Sequence, residues 1–351
     1  FGIVPTQLGR VHFVAPAASY TVDGRSYAAS DDNDGLSPER ALRTITQAYT
    51  NITASAGEVI YLLEGTHSLT ATLRLQKAGI TILGVRSPQS SEGDTAIWAL
   101  RPKSVISFAG AAAPGISIEA SNVEIGFVTL VPASGFSTVI FRNQNVTAPD
   151  GLYLHDFYLD MSNQPVSLAT LGIDFGYRAD TAGLAGTAVS RLSQATAVAT
   201  AYISNFCINS GGANGPGILT ATCDVVVRNG RFVNRFGAWA SPFVIATGTG
   251  YIFIKSCEWT AHTMGGIGTA LDGTFAAVNP TGPVNTQKAA AHDCRFSGGP
   301  AAAAGSSPIN NFVAGVISVV ECYSDSALQV AAASGQGNPG FATVYQSLSS
   351  V

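Results

Sequence analysis

The chain has 351 residues, 38 of them glycine, and a formal net charge of -4. Only 11% of residues are charged while 46% are hydrophobic, a balance that argues against disorder. No apolar run approaches the ~20 residues that span a bilayer, and the weakly acidic balance speaks against nucleic acid, so neither partner is expected.

Taken in chain order, residues 1–56 read as a tail and a capping unit. Asp31, Asp32 and Asp34 before Gly35 are only faintly like a calcium loop. The twelfth place of that register falls on Ala41 where a glutamate is needed, so a solvated turn is expected. Ser37 before Pro38 and Glu39 reads as a helix start, with a side-chain cap and proline at the first helical position. Leu42, Ile45, Tyr49 and Ile52 then share one face of a short amphipathic helix.

Residues 57–326 carry an internal repeat. Eight-residue segments starting at Val123, Leu152, Ala201, Val225, Ile252, Ala289 and Ile317 can be laid over one another, with a weaker member at Ile80. Their first and third places are apolar, as in Leu152 and Leu154 or Ile252 and Ile254. The sixth and eighth are also mostly apolar, as in Phe157 and Leu159 or Cys257 and Trp259. Strict alternation would continue at the fifth and seventh places, so one residue is extra and marks a bend. That fifth place holds Asp156, Asn205, Asn229, Ser256, Asp293 and Glu321, and Asn and Asp tolerate the left-handed backbone of a tight bend. A corner repeated along the chain predicts a coil of strands. The fold class is all-β, a right-handed parallel β-helix with an N-terminal strand-helix cap. Extra length at 160–200 and 260–288 predicts insertions on one flank, and the Ala/Ser/Gly-rich residues 327–351 predict a second cap or an arm.

The corner pattern resembles the pectate-lyase-like β-helix superfamily. The stretch from Val11 to Gly84, with VHFVAP, SDDNDGLSPERALRTI, GEVIYLLEGTH and AGITILG, is more particularly similar to structural β-helix proteins of tailed-phage virions, including head-decoration and spike proteins. The resemblance implies a virion location, assembly in the bacterial host cytoplasm, and a homotrimer that contacts a capsid or other virion protein. The opening FGIVPTQLGR, too short to fold alone and without the features of a secretion signal, is expected to anchor to such a partner.

Candidate chemistry is sparse, and no cofactor or metal is expected. A glycosidase needs two carboxylates about 5 to 9.5 Å apart. Asp156 and Asp160 are the candidates, with Asp174 and Asp180 near them in sequence, but Asp156 also occupies the bend place that a turn role explains. His155 and His292 share an outward place four coils apart, about 19 Å, too far to share a metal. Cys257, Cys294 and Cys322 hold the inward sixth place on successive coils and predict a buried stack of free thiols. Cys207 is expected to face outward and Cys223 to precede its segment. Arg231, Glu258 and Arg295 form a possible charge ladder at the seventh place. Tyr153, Tyr202, Val226 and Phe253 line up on four consecutive coils and predict a subunit interface.

Two functions follow. One is a non-enzymatic virion structural protein, capsid-decorating or fibre-like. The other is a β-helix that binds or degrades polysaccharide, including host surface glycan.

Overall fold

The structure, a computed structural model, describes residues 9–86, 101–109, 115–134, 138–143, 150–163, 171–178, 199–210, 217–220, 223–234, 237–239, 243–245, 250–261, 265–267, 271–272, 288–297, 309–312, 317–324, 330–332 and 342–346. Asp180, His262, the tail 1–8 and most of both insertions lie outside them.

Apart from one hairpin, every strand pairing in the described residues is parallel, and the strands stack into three walls of a right-handed parallel β-helix. The first wall begins with Val11–Val14, Val59–Leu62, Thr81–Leu83 and Glu124–Gly126. It continues through Leu152–Met161, Ala199–Ser210, Cys223–Asn234, Tyr251–Lys255, Lys288–His292 and Ile317–Ser324. The second wall is the far arm of the same sheet, beyond the bend, and includes Ser104–Phe108, Val128–Pro132, Glu258–Ala261 and Arg295–Ser297. The third runs from Leu73–Leu75 to Val330–Ala332.

Register follows the repeat. Val225 faces Ile252, Ile252 faces Ala289 and Ala289 faces Ile317 on neighbouring rungs, and Val225, Ile252 and Ala289 are all buried. The slip at the fifth place has its cause in the backbone. Asp156, Asn205, Asn229, Ser256, Asp293 and Glu321 have φ of 49°, 51°, 52°, 52°, 52° and 53°, and Phe127 joins them at 55°. One left-handed residue per coil turns the strand while leaving both the third and sixth places pointing inward, so the core stays continuous across the corner.

The capping unit differs in detail from the sequence expectation. Ser37 makes no side-chain cap bond, and Pro38–Arg40 is a single 3-10 turn. The α-helix is Ile45–Asn51, capped by Thr44, whose hydroxyl accepts from the Gln47 N–H at 3.1 Å. The reason lies upstream. Asp31 accepts from the N–H groups of Arg43 and Thr44 and from the Thr44 hydroxyl, which holds the chain extended before the helix. Leu42 therefore stands outside the helix and bridges Val14. Backbone bonds from Phe13 to Gly35 and between Ala15, Phe13 and Leu42 occupy the outer edge of the first strand, so the end of the sheet is covered. Lys77, from the coil, donates to the carbonyls of Tyr49, Thr50 and Ile52 at the helix C-terminus and locks the cap to the first coil. At the other end the strands Val330–Ala332 and Ala342–Gln346 pair in parallel with their predecessors, so the coil continues past Ser326.

Candidate functional site

The bend that keeps the core continuous also makes the outer surface concave. Along it runs a groove of about 570 Å³. Its floor is the column of left-handed residues from Phe127 and Asp156 through Asn205 and Asn229 to Ser256. Five coils at ~4.8 Å per step make it about 19 Å long. Asn205 and Asn229 are exposed, and the Asn229 amide donates to the Asn205 side-chain oxygen at 3.1 Å. Ser256 donates to Asp293 at 2.9 Å on the next step. One flank is the seventh-place column, where Arg231 and Glu258 pair at 3.1 Å. Arg86 closes the N-terminal end, its guanidinium 5.9 Å from the centre of the Phe127 ring.

Next to the floor stands a three-member ionic cluster. His155 contacts Asp156 through Nδ1 at 2.9 Å and Glu124 through Nε2 at 3.0 Å. With a carboxylate on each nitrogen, both must donate, which only the imidazolium can do. Burial works against the charged ring, but the bonds to Asp156 and Glu124 outweigh it and hold its pKa up at about 9. The same bond to His155 pulls Glu124 below the usual carboxylate range, and Thr81 adds a second donor. The imidazole stacks on Tyr153 at 4.4 Å and meets the Phe127 ring edge-on at 5.1 Å. The outward place therefore became a buried one for His155, which is 6% exposed.

No known family model matches the chain, and no curated protein sequence matches it. Solved structures do resemble it. A rhamnogalacturonan lyase superposes with a TM-score of 0.54 at 11% identity, covering 90% of this chain and 74% of that one. The fold is that of the pectate-lyase-like β-helices. A pectin methylesterase from carrot (TM-score 0.47, 9% identity, 96% and 88% covered) and ORF18 of Geobacillus virus E2 (0.33, 12%, 82% and 46%) are looser matches. At such identities the likeness is one of backbone architecture alone.

Within this pectate-lyase-like frame the two candidate carboxylates are not brought together as a pair. Asp156 lines the groove and is held by His155. Asp160 is held by the Arg101 guanidinium, by the N–H and hydroxyl of Ser162 at 3.1 and 2.6 Å, and by Asn209 at 3.3 Å. Burial opposes its charge, but the Ser162 bonds and Arg101 prevail and keep its pKa low. Asp174 is buried on the third wall, in register with Phe141 and Leu219, in a different sheet from Asp156 and Asp160. Glu124 and Arg101 are the partners that sequence reasoning missed. Glu124 carried a weak signal, an outward second place in register with Tyr153, whereas Arg101 lies 59 residues from Asp160 with no motif to link them.

The predicted stripe is in register. Tyr153, Tyr202, Val226 and Phe253 face one another rung by rung, all half-buried, and Tyr153 and Tyr202 touch at 5.2 Å. Arg228 lies 5.9 Å from the ring centres of both Tyr202 and Phe253. Cys257, Cys294 and Cys322 are buried and free, and the Cys294 N–H donates to the Cys322 sulfur at 3.4 Å. Burial pushes the Cys257 thiol up to about 12, and the Cys322 thiol together with burial raises Cys294. Such thiols are neutral packing groups. Cys207 keeps the outward seventh place, in register with Tyr158 and Arg231, but is covered there: it is 7% exposed and packs with Tyr158 and Val233. The seventh place is covered here because Arg101, drawn in by Asp160, lies over the Tyr158 ring at 4.1 Å. Cys223 is fully buried. Among the described residues no group of three or more His, Cys, Asp or Glu side chains could hold a metal.

Proposed function

We propose that the chain is a non-enzymatic structural β-helix of a tailed-phage virion, capsid-decorating or fibre-like, that assembles as a homotrimer. The observation that carries the non-enzymatic reading is the state of the carboxylates. Asp156 and Glu124 are held by His155, Glu258 by Arg231 and Asp160 by Arg101. A general acid needs a carboxyl that holds a proton near neutral pH; Glu124 and Asp160, drawn below the usual carboxylate range, do not supply one, and Asp156 and Glu258 are engaged in ion pairs. Support for assembly comes from the half-buried stripe of Tyr153, Tyr202, Val226 and Phe253. Its burial would contribute several kcal/mol at ~1.5 to 3 per side chain. The virion, and a capsid or other virion protein as partner, rest on the motifs between Val11 and Gly84.

The groove favours a second reading, in which the coil binds or degrades polysaccharide. Two measurements separate the readings. Native mass of the full chain at micromolar concentration should give a trimer, disrupted by Phe253→Asp, and a stable 36.0 kDa monomer would refute the assembly. Incubation with host surface glycan should leave its chain length unchanged. Cleavage abolished by Asp156→Asn or Asp160→Asn would establish an enzyme.

A further inference from the structure

We infer that the groove along the bend is a binding site for a linear, neutral oligosaccharide, held without cleavage. This rests on the non-enzymatic reading and deepens it by naming a ligand class and the side chains that take it.

The chemistry of the lining selects the class. Charges of both signs stand in or beside the groove, but Asp156 and Glu258 already have cationic partners at 2.9 and 3.1 Å, and the remaining cation, Arg86, stands at the N-terminal end over the Phe127 ring. Along the centre of the groove an ionic ligand would have to break these pairs to gain its own. What the groove offers at its centre is an exposed ladder of planar amides, Asn205 and Asn229, with the Ser256 hydroxyl one step further. Each amide brings two donors and an acceptor, and the bond between them uses one donor of Asn229 and one lone pair of Asn205. The remaining groups suit hydroxyls, which donate and accept alike. Phe127 adds a half-buried ring at one end of the floor. The ladder repeats once per coil, so it favours a polymer with repeating units along the helix axis over one compact molecule.

The left-handed backbone makes a clean test. Glycine tolerates φ near 50° as well as asparagine does, so Asn205→Gly with Asn229→Gly removes both amides and keeps the bend. Hexasaccharides from dextran, galactan and mannan, with hexagalacturonate as the charged counterpart, would be titrated against the full chain by calorimetry. At least one neutral hexasaccharide should bind, more tightly than hexagalacturonate, and remain uncleaved. The double variant should weaken that binding at least 10-fold at an unchanged melting temperature. If the double variant does not fold, Ser256→Gly should weaken the same binding several-fold. Absence of neutral binding, a preference for hexagalacturonate, or full affinity in the variant that folds would overturn the site. Sedimentation of the same samples keeps the two readings apart. A trimer that binds none of the sugars removes the groove alone, and a monomer that binds one removes the assembly alone.

Discussion

On the coils of Phe157 and Phe206 a ring stands at the sixth place and an aliphatic side chain, Leu159 or Ile208, at the eighth. The next three coils reverse the order, with Gly230, Cys257 and Cys294 at the sixth place and Phe232, Trp259 and Phe296 at the eighth. Both halves of the second wall are buried, and the aromatic column is continuous through the change. Phe157 stacks on Phe206 at 5.4 Å, Phe206 meets Phe232 edge-on at 5.5 Å, and Phe232, Trp259 and Phe296 stack at 5.0 and 4.8 Å. The crossing is made at Gly230, where a Cβ would lie 2.1 Å from the Phe206 ring. Each coil thus conserves interior volume, while the place that carries the bulk is free to move. The thiols occupy small positions in the half where the rings have shifted away.

This comparison can be broken at several points. The largest effect should come from Trp259→Ala, which opens a cavity between two stacked rings and should cost about 3 to 5 kcal/mol in denaturant unfolding. Gly230→Ala should cost about 1 to 3 kcal/mol by overpacking against Phe206. Phe206→Leu should relieve part of that loss, so a double-mutant cycle on the two should show strong coupling, and additive losses would sink the crossing argument. Cys294→Ala, which removes one sulfur from the small column, should cost about 1 kcal/mol without altering the response to reductant, since none of the five cysteines is in a disulfide.

The His155 cluster, outside this core, should respond to pH instead of to volume. Its folded pKa is raised from 6.5 to about 9, so its stabilising contribution is complete below pH 6.5 and is lost as pH rises through about 9. The thermal midpoint of the protein should fall over that window, and His155→Gln should flatten the alkaline slope. An unchanged slope would mean that the ring is not charged in the folded state.

Most of the coil was legible because its rules are local. Where an Asn or Asp stands two places after an apolar residue and one before another, the backbone has one inexpensive way to keep both inward. The chain repeats that solution from Asp156 to Asp293. The N-terminal helix was misjudged by several residues for the opposite reason, since Asp31 reaches twelve and thirteen residues along the chain to shape its start. The candidate site was legible as columns and illegible as pairs. Asp156 stood out, but its bond to His155 and the meeting of His155 with Glu124, 31 residues upstream, did not.

What the amino-acid order determined by itself was the walls, the corner and the inward columns, because strand period and left-handed bends depend on neighbouring residues. The tertiary structure alone decided which outward side chains would be covered, as His155, Tyr158 and Cys207 are, and where the concave side would form a groove. Those outcomes depend on contacts between coils whose starts lie 24 to 49 residues apart. They depend also on cations such as Arg101, which reach their carboxylates only after the coils have stacked.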